Sequence, residues 1–275
     1  MIRIITDSSA DLPKHLLEKY QITVVPLTIT MGSENYAEGI DLTPKEFFTK
    51  MFHSDELPKT SQPSPALFAQ SFNQFDHDDQ LLCLTISSGL SGTYQSACLG
   101  KELSDKNVTV FDTLAGSLGH GLQIIRAAEL AQQGATMEEI MKNLTEYREN
   151  MTILVLLDTL ENIVKGGRLS KFQGSLAKIL NIKVILERVE GGKVEIKEKV
   201  RGKKRFHNRT MELIQEQSSH FSNTVFGITH TGNEEEAEAI KQELIEKFQP
   251  KEVLINYMGA TMGTYAGKGG MIISF

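Results

Sequence analysis

Between two apolar stretches the chain reads Ser87-Ser88-Gly89-Leu90-Ser91-Gly92-Thr93, three serines and a threonine spaced by two glycines. Hydroxyls crowded at the start of a helix, beside the free N–H groups of its first turn, form a ready anion site. The spacing is not the phosphate loop GxxxxGK[ST], the dinucleotide fingerprint GxGxxG or the hydrolase elbow GxSxG. A second hydroxyl cluster is Thr60-Ser61-Gln62-Pro63-Ser64-Pro65. Capping of the helix that follows requires only Ser64, so Thr60 and Ser61 exceed that need. A third stretch, Gly259 to Gly270, carries five glycines in twelve residues and suggests a tight loop covering something.

Other chemistries find less support. The seven histidines include no HExxH pair or comparable metal spacing, and His230, after an apolar run, reads as structural. Asp7 and Asp112 stand in Ser/Thr-rich turns where capping accounts for them. Cys83 and Cys98 are too few for a disulfide framework or a four-ligand zinc site, which fits reduced thiols in the cytoplasm. No Ser-His-Asp set can be assigned from spacing. A hydrolase or acyltransferase with Ser88 or Ser91 as its nucleophile is therefore kept as an alternative.

Short β runs alternate with helical patterns and must position these loops. Strands are expected at Ile2 to Ile5, Leu81 to Ile86 and Val108 to Asp112, with helices at Pro13 to Tyr20 and His120 to Gln133. Ile22 to Thr30 reads as one extended run in which Pro26 marks an edge or a bulge. Thr43-Pro44-Lys45-Glu46 and Ser64-Pro65 are helix starts, the first with a complete capping box. The alternation predicts a mainly parallel sheet with helices on both faces, whose sites lie beyond the carboxyl ends of the strands. Past residues 148 to 152 the pattern changes. A buried strand from Thr152 to Leu160 leads to a short helix ending at Gly166-Gly167, then a hairpin around Gly191-Gly192. Three further strands follow, at Val225 to Thr229, Val253 to Tyr257 and Met271 to Ser274. The expected class is α/β with two domains, residues 1–150 and 151–275, the second with a mixed sheet.

The 275 residues carry 29 Lys and Arg against 35 Asp and Glu, a net charge of −6, with 40% hydrophobic and 23% charged residues. Those values describe a globular chain and argue against wholesale nucleic-acid binding, which needs a concentrated positive face. No basic leader precedes a long apolar core and no run of 18 apolar residues occurs, so neither a secretory signal nor a membrane span is expected. One local exception to the acidic balance is the run Lys197, Lys199, Arg201, Lys203, Lys204 and Arg205. It reads as a solvated strand end or as a docking patch for an acidic partner.

Taken in order, TDSSADLP, VVPLTIT, TSQPSP, SSGLSGTYQSA, KGGRLS, LNIKVIL and EKVRGKKR resemble the DegV family of bacterial fatty-acid-binding proteins over essentially the whole chain. The resemblance implies one long-chain fatty acid held between two domains, with no other cofactor and no turnover by this chain itself. Many members are the acyl-carrying subunit of fatty acid kinase, presenting the carboxylate to a separate ATP-binding subunit. Carried over residue by residue, the carboxylate donors are Thr60 or Ser61, and Ser88 with Ser87 and Ser91 close by. The family's third donor is a histidine in a pattern like GxHxGPG. Here the stretch runs Gly263-Thr264-Tyr265-Ala266-Gly267-Lys268-Gly269, with Tyr265 at the histidine position and Lys268 at the proline position. A phenol still donates to a carboxylate, but it lacks the charge of an imidazolium. That departure keeps open a regulatory lipid-binding domain without a kinase partner. The family's docking arginines correspond to Arg168, Arg201 and Arg205.

The implied ligand explains the surplus hydroxyls. About 15 methylenes of a long acyl chain gain about 0.8 kcal/mol each on burial, before ordering costs. Its carboxylate, drawn out of water, is strongly penalised unless several donors meet it. Hydroxyls and N–H groups can do so without adding a fixed positive charge and without consuming it, and charge-assisted hydrogen bonds are the stronger kind.

Overall fold

A computed structural model describes residues 1–169, 182–218 and 220–275. Its elements run β1 (Ile2–Asp7), α1 (Lys14–Lys19), β2 (Thr23–Val25), β3 (Thr28–Met31), β4 (Glu34–Ala37), α2 (Pro44–Phe52), β5 (Lys59–Ser61), α3 (Pro65–Phe72) and β6 (Gln80–Thr85). Next come α4 (Thr93–Glu102), β7 (Asn107–Asp112), α5 (Ser117–Gln132), α6 (Met137–Asn150), β8 (Ile153–Leu157), α7 (Glu161–Lys165), β9 (Ile182–Arg188) and β10 (Val194–Arg201). The chain finishes with α8 (Lys203–Gln217), β11 (Val225–His230), α9 (Glu234–Phe248), β12 (Glu252–Tyr257), α10 (Ala260–Ala266) and β13 (Met271–Ser274).

The first half builds a parallel sheet in the order β2-β1-β6-β7. Strands alternate their side chains between faces, so both faces of this apolar sheet need a cover. Ile5, Leu81, Cys83 and Val108 pack with Phe68, Phe72 and Ala97 of α3 and α4. Ile4, Leu82, Leu84 and Phe111 pack with α1, α5 and α6 on the other side. The second half builds a mixed sheet in the order β10-β9-β8-β13-β11-β12, where only β11 and β12 run parallel. Leu154, Leu156 and Ile185 meet α8 and α9. Ile153, Val155, Leu186 and Ile272, on the opposite face, turn toward the first half and join Ile29, Phe47 and Phe48 in a common core. The fold is thus α/β with one parallel and one mixed sheet, and a cavity opens where the inner face of the second meets the first half.

Local signals place the helix starts. Thr43 accepts from the Glu46 N–H while Glu46 receives the Thr43 N–H, completing the capping box of α2. Ser64 accepts from the Leu67 N–H with Pro65 in the first position of α3. Two expectations need correction. Ile22 to Thr30 is not one strand, because the chain breaks at Pro26, which offers no N–H to a ladder. β2 becomes the edge of the parallel sheet, while β3 becomes the centre of a separate antiparallel sheet, β4-β3-β5. The glycine-rich stretch is not simply a loop, since Ala260–Ala266 forms α10. Gly263 is small because a Cβ there would stand 2.5 Å from the Phe48 ring. The last residue of KGGRLS and the first two of LNIKVIL lie outside the described residues.

Candidate functional site

Between the inner face of the mixed sheet and the loops of the first half lies a narrow apolar cavity enclosing about 790 Å³, its open mouth included. Leu27, Ile86 and Leu114 line it from the first half, Ile153, Val155 and Ile272 from the mixed sheet, and Met262 and Ala266 from α10. That lining is of the character that takes up apolar molecules. The strand residues reach it because β8 and β13 direct every second side chain inward.

One set of lining residues is polar: Thr60, Ser91, Arg168 and Tyr265. Thr60 lies in β5 opposite Ile29, and its Oγ1 is 2.6 Å from the Tyr265 hydroxyl. Its neighbour Ser61 is exposed, as the two-residue period of a strand requires. Within the serine loop, Ser91 lines the cavity, sharing a 2.8 Å bond with Thr93 Oγ1. Ser87 is buried, donating to the Gly192 carbonyl at 2.7 Å and accepting the Gly89 N–H, so it fixes the loop against the β9–β10 turn. Ser88 is exposed, is not among the lining residues, and its N–H donates to Asp112 Oδ1 at 3.1 Å. Of the six residues proposed as carboxylate donors, the fold thus brings Thr60, Ser91 and Tyr265 to the cavity.

The sequence reading sets Arg168 among the docking arginines and expects no fixed positive charge beside the hydroxyls; the structure puts its guanidinium at this polar end. Arg168 lines the cavity, half-buried, with its guanidinium 4.8 Å from the centre of the Tyr265 ring. It donates to the Leu90 carbonyl at 3.3 Å and the Gly166 carbonyl at 2.7 Å, and no acidic side chain among the described residues pairs with it. A guanidinium held by neutral carbonyls beside three hydroxyls is arranged to receive an anion. The signal available in sequence was an arginine directly after the Gly166-Gly167 helix stop. Arg188 also lines the cavity, but its donors are committed to the carbonyls of Arg148 and Met151 at the end of α6. Burial, with the neighbouring Arg148 guanidinium, lowers the Arg188 pKa.

No histidine hydrogen-bonds to Ser87, Ser88 or Ser91 among the described residues. His120 is fully buried, its Nε2 3.0 Å from Thr6 Oγ1, and burial pushes its pKa down. His230 packs at a tilt against Tyr257, with 4.5 Å between ring centres. Among the described residues, no group of three or more His, Cys, Asp or Glu is placed to hold a metal ion. No described helix is long and apolar enough to cross a membrane.

Arg201 and Arg205 lie away from the cavity, at the end of β10 and the start of α8, and both are exposed. In the same run Lys197 pairs with Glu187 and Lys203 with Glu236. Lys199, Arg201, Lys204 and Arg205 have no ion-pair partner among the described residues.

The family model described as "Uncharacterised protein, DegV family" matches residues 1–275. Protein DegV of Bacillus subtilis is 33% identical over 273 residues, covering 98% of this chain and 97% of that protein. Among solved structures, a fatty-acid-binding DegV family protein from Thermus thermophilus superposes with a TM-score of 0.92 at 32% identity, covering 100% of this chain and 99% of that one. A DegV family protein from Ruminococcus gnavus, solved with vaccenic acid, also reaches 0.92, at 27% identity and with 100% and 99% coverage. Matched from end to end by the family model and by a relative one-third identical to it, this chain belongs to the DegV family.

Proposed function

We propose that the protein holds one long-chain fatty acid in the cavity and presents its carboxylate to a separate ATP-binding kinase subunit. The observation that carries this reading is the cavity itself, apolar along the mixed sheet and polar at Thr60, Ser91, Arg168 and Tyr265. An acyl tail gains from the apolar wall, while the head meets hydroxyls and a guanidinium that offset its desolvation. Relatives solved with fatty acids, including vaccenic and heptadecanoic acid, support the same ligand class here.

On this reading the chain supplies binding and orientation, not turnover. One carboxylate oxygen attacks the γ-phosphorus of ATP held by the partner, the bond to the ADP oxygen breaks, and an acyl phosphate forms. Arg168, at the polar end beside Tyr265, would offset negative charge gathered at the carboxylate. Arg201 and Arg205, which have no ion-pair partner among the described residues, suit with Lys199 and Lys204 an acidic docking face on that partner. A partner that uses ATP goes with a cytoplasmic setting. The domain boundary at 150/151 belongs to the same proposal, each sheet contributing one wall.

The test is mass spectrometry of an organic extract of the purified protein, together with uptake of palmitate or oleate. A stoichiometric fatty acid is expected. Empty protein that also fails to take up either acid would sink the proposal. A serine-directed phosphonate separates it from the hydrolase alternative, since a carrier forms no adduct at Ser88 or Ser91.

A further inference from the structure

Helix α10 lies in sequence between two strands of the mixed sheet, yet its first turn is gripped by the other half of the molecule. Asp11 Oδ1 accepts the Gly259 N–H at 2.8 Å, and its Oδ2 accepts the Ser117 hydroxyl at 2.5 Å. Glu38 Oε1 accepts the Thr261 N–H, while its Oε2 accepts the hydroxyls of Thr261 and Ser8, each at 2.6 Å. Asp11 and Glu38 are both buried, each 6% exposed, and every partner named is neutral. Carboxylates in such surroundings hold N–H groups strongly, and more so at the positive end of a helix.

The backbone around this grip is unusual. Asp11 and Ser117 both adopt left-handed φ values, 52° and 54°, although neither is glycine. Such conformations persist only where the surroundings over-determine them. Ser117 Oγ also lies 2.7 Å from Thr229 Oγ1, so the two halves meet at these side chains. Farther along, Gly263 packs on Phe48 of α2, and Tyr265 bonds Thr60 of β5. On the opposite side, α10 meets its own half through Asn162 Nδ2 on the Thr264 carbonyl, the Thr231 hydroxyl on the Gly267 carbonyl at its C-terminal end, and the Arg168 guanidinium over the Tyr265 ring.

We propose that Asp11 and Glu38 are positioning residues that join α10 mechanically to the first half of the chain. Thr60, Ser91 and Tyr265 then move as one body, while Arg168 and the β8–β13 wall move as another. When the halves part to load or release a ligand, the hydroxyl set stays assembled and the guanidinium withdraws from it. Gly267 and Gly269, with φ of 68° and 76°, lie where the chain returns from α10 to β13 and supply the bend. For its functional consequence this inference rests on the fatty-acid reading.

Native-state hydrogen exchange on the full chain in rising urea tests the mechanical claim without any ligand. The Gly259, Thr261 and Gly263 amides are expected to open together with β1 and β6; opening together with β12 and β13 would overturn the proposal. In Asp11→Gly/Glu38→Ala, exchange at Thr261 should rise at least 100-fold while β6 and β8 stay within threefold of wild type. Release of a fluorescent fatty acid should quicken at least tenfold. Unchanged exchange at α10 counts against the grip, as does an unchanged release rate. If the variant fails to fold, the wild-type urea series decides alone. Wild-type protein that takes up no fatty acid defeats the functional reading and leaves the exchange result standing.

Discussion

The hydroxyls of Thr60 and Tyr265, 205 positions apart in sequence, lie 2.6 Å from one another at the polar end of the cavity. Each can donate only one proton. If one donates to the other, only one remains free for an incoming carboxylate, so the pair orders itself around the ligand. Removing either hydroxyl leaves the other without its partner and deprives the bound anion of a donor. Tyr265→Phe and Thr60→Val are each expected to weaken fatty-acid binding by about 1–3 kcal/mol, roughly five- to 150-fold. Titration with a fluorescent fatty acid checks this, and affinities within twofold of wild type would refute the placement of the head group.

The serine loop gives a sharper contrast. Ser91 lines the cavity and Ser88 does not. Ser91→Ala should therefore lower affinity by a similar amount, while Ser88→Ala should leave it within twofold. The reverse order would move the carboxylate to the solvent side of the loop.

Gly166 tests the position of the Tyr265 ring without removing a polar group. A Cβ at residue 166 would stand 2.4 Å from the ring, and the backbone there, at φ −76°, accepts any residue. Gly166→Ala should displace the phenol and weaken binding as Tyr265→Phe does. Combining the two should add little, because both act through one contact. Full additivity in a double-mutant cycle would mean that the glycine matters for another reason.

How much of this could be read in the sequence depended on the range of the interaction. Thr43 with Glu46, and Ser64 with Pro65, announce helix starts because capping operates within four residues. α10 was hidden because Gly259 and Gly263 look like loop residues. They are glycine for close approaches to Glu38, Asp11 and Phe48, which only the fold reveals. Thr60 and Ser61 are equivalent by residue type, and strand register alone turns one inward. Tyr265 came into view through family resemblance, since no local pattern joins it to Thr60. Arg168 reads in sequence only as a docking residue, because its place beside the cavity is set partly by Leu90, from the other half of the chain.

Asp11 and Glu38 also predict how stability varies with pH. Burial is the main cause that raises the Asp11 pKa well above its ordinary value, with Glu38 and Asp7 adding to it and the Ser117 and Gly259 bonds opposing. Burial likewise raises Glu38, opposed by Ser8 and Thr261 and assisted by Asp7. Between the ordinary carboxylate value, about 4, and the raised native values, the native state binds more protons than the unfolded chain. The stabilisation is complete below the ordinary value and is lost as pH rises through the native one. Asp79, lowered by the N-terminal amine and Arg3, acts in the opposite sense and only at more acid pH. Wild type should thus melt higher near pH 5 than near pH 7.5, and Asp11→Asn, which tolerates left-handed φ, should reduce that difference. An equal difference in the variant would show that Asp11 titrates normally.

Arg201 separates docking from ligand binding. It is exposed, lacks an ion-pair partner among the described residues, and stands between Lys199 and the Lys204-Arg205 pair. Lys197 and Lys203 in the same run are neutralised by Glu187 and Glu236, so the uncompensated charge concentrates at the β10–α8 corner. An acidic partner would be steered there, with an association rate that falls as salt rises. Arg201→Glu reverses one charge at the centre of that corner without disturbing a contact in the cavity. Acyl-phosphate formation with a kinase subunit should fall at least tenfold, while fatty-acid affinity stays within twofold. Equal loss of both would assign Arg201 to the fold, and retention of both would place the partner on another face.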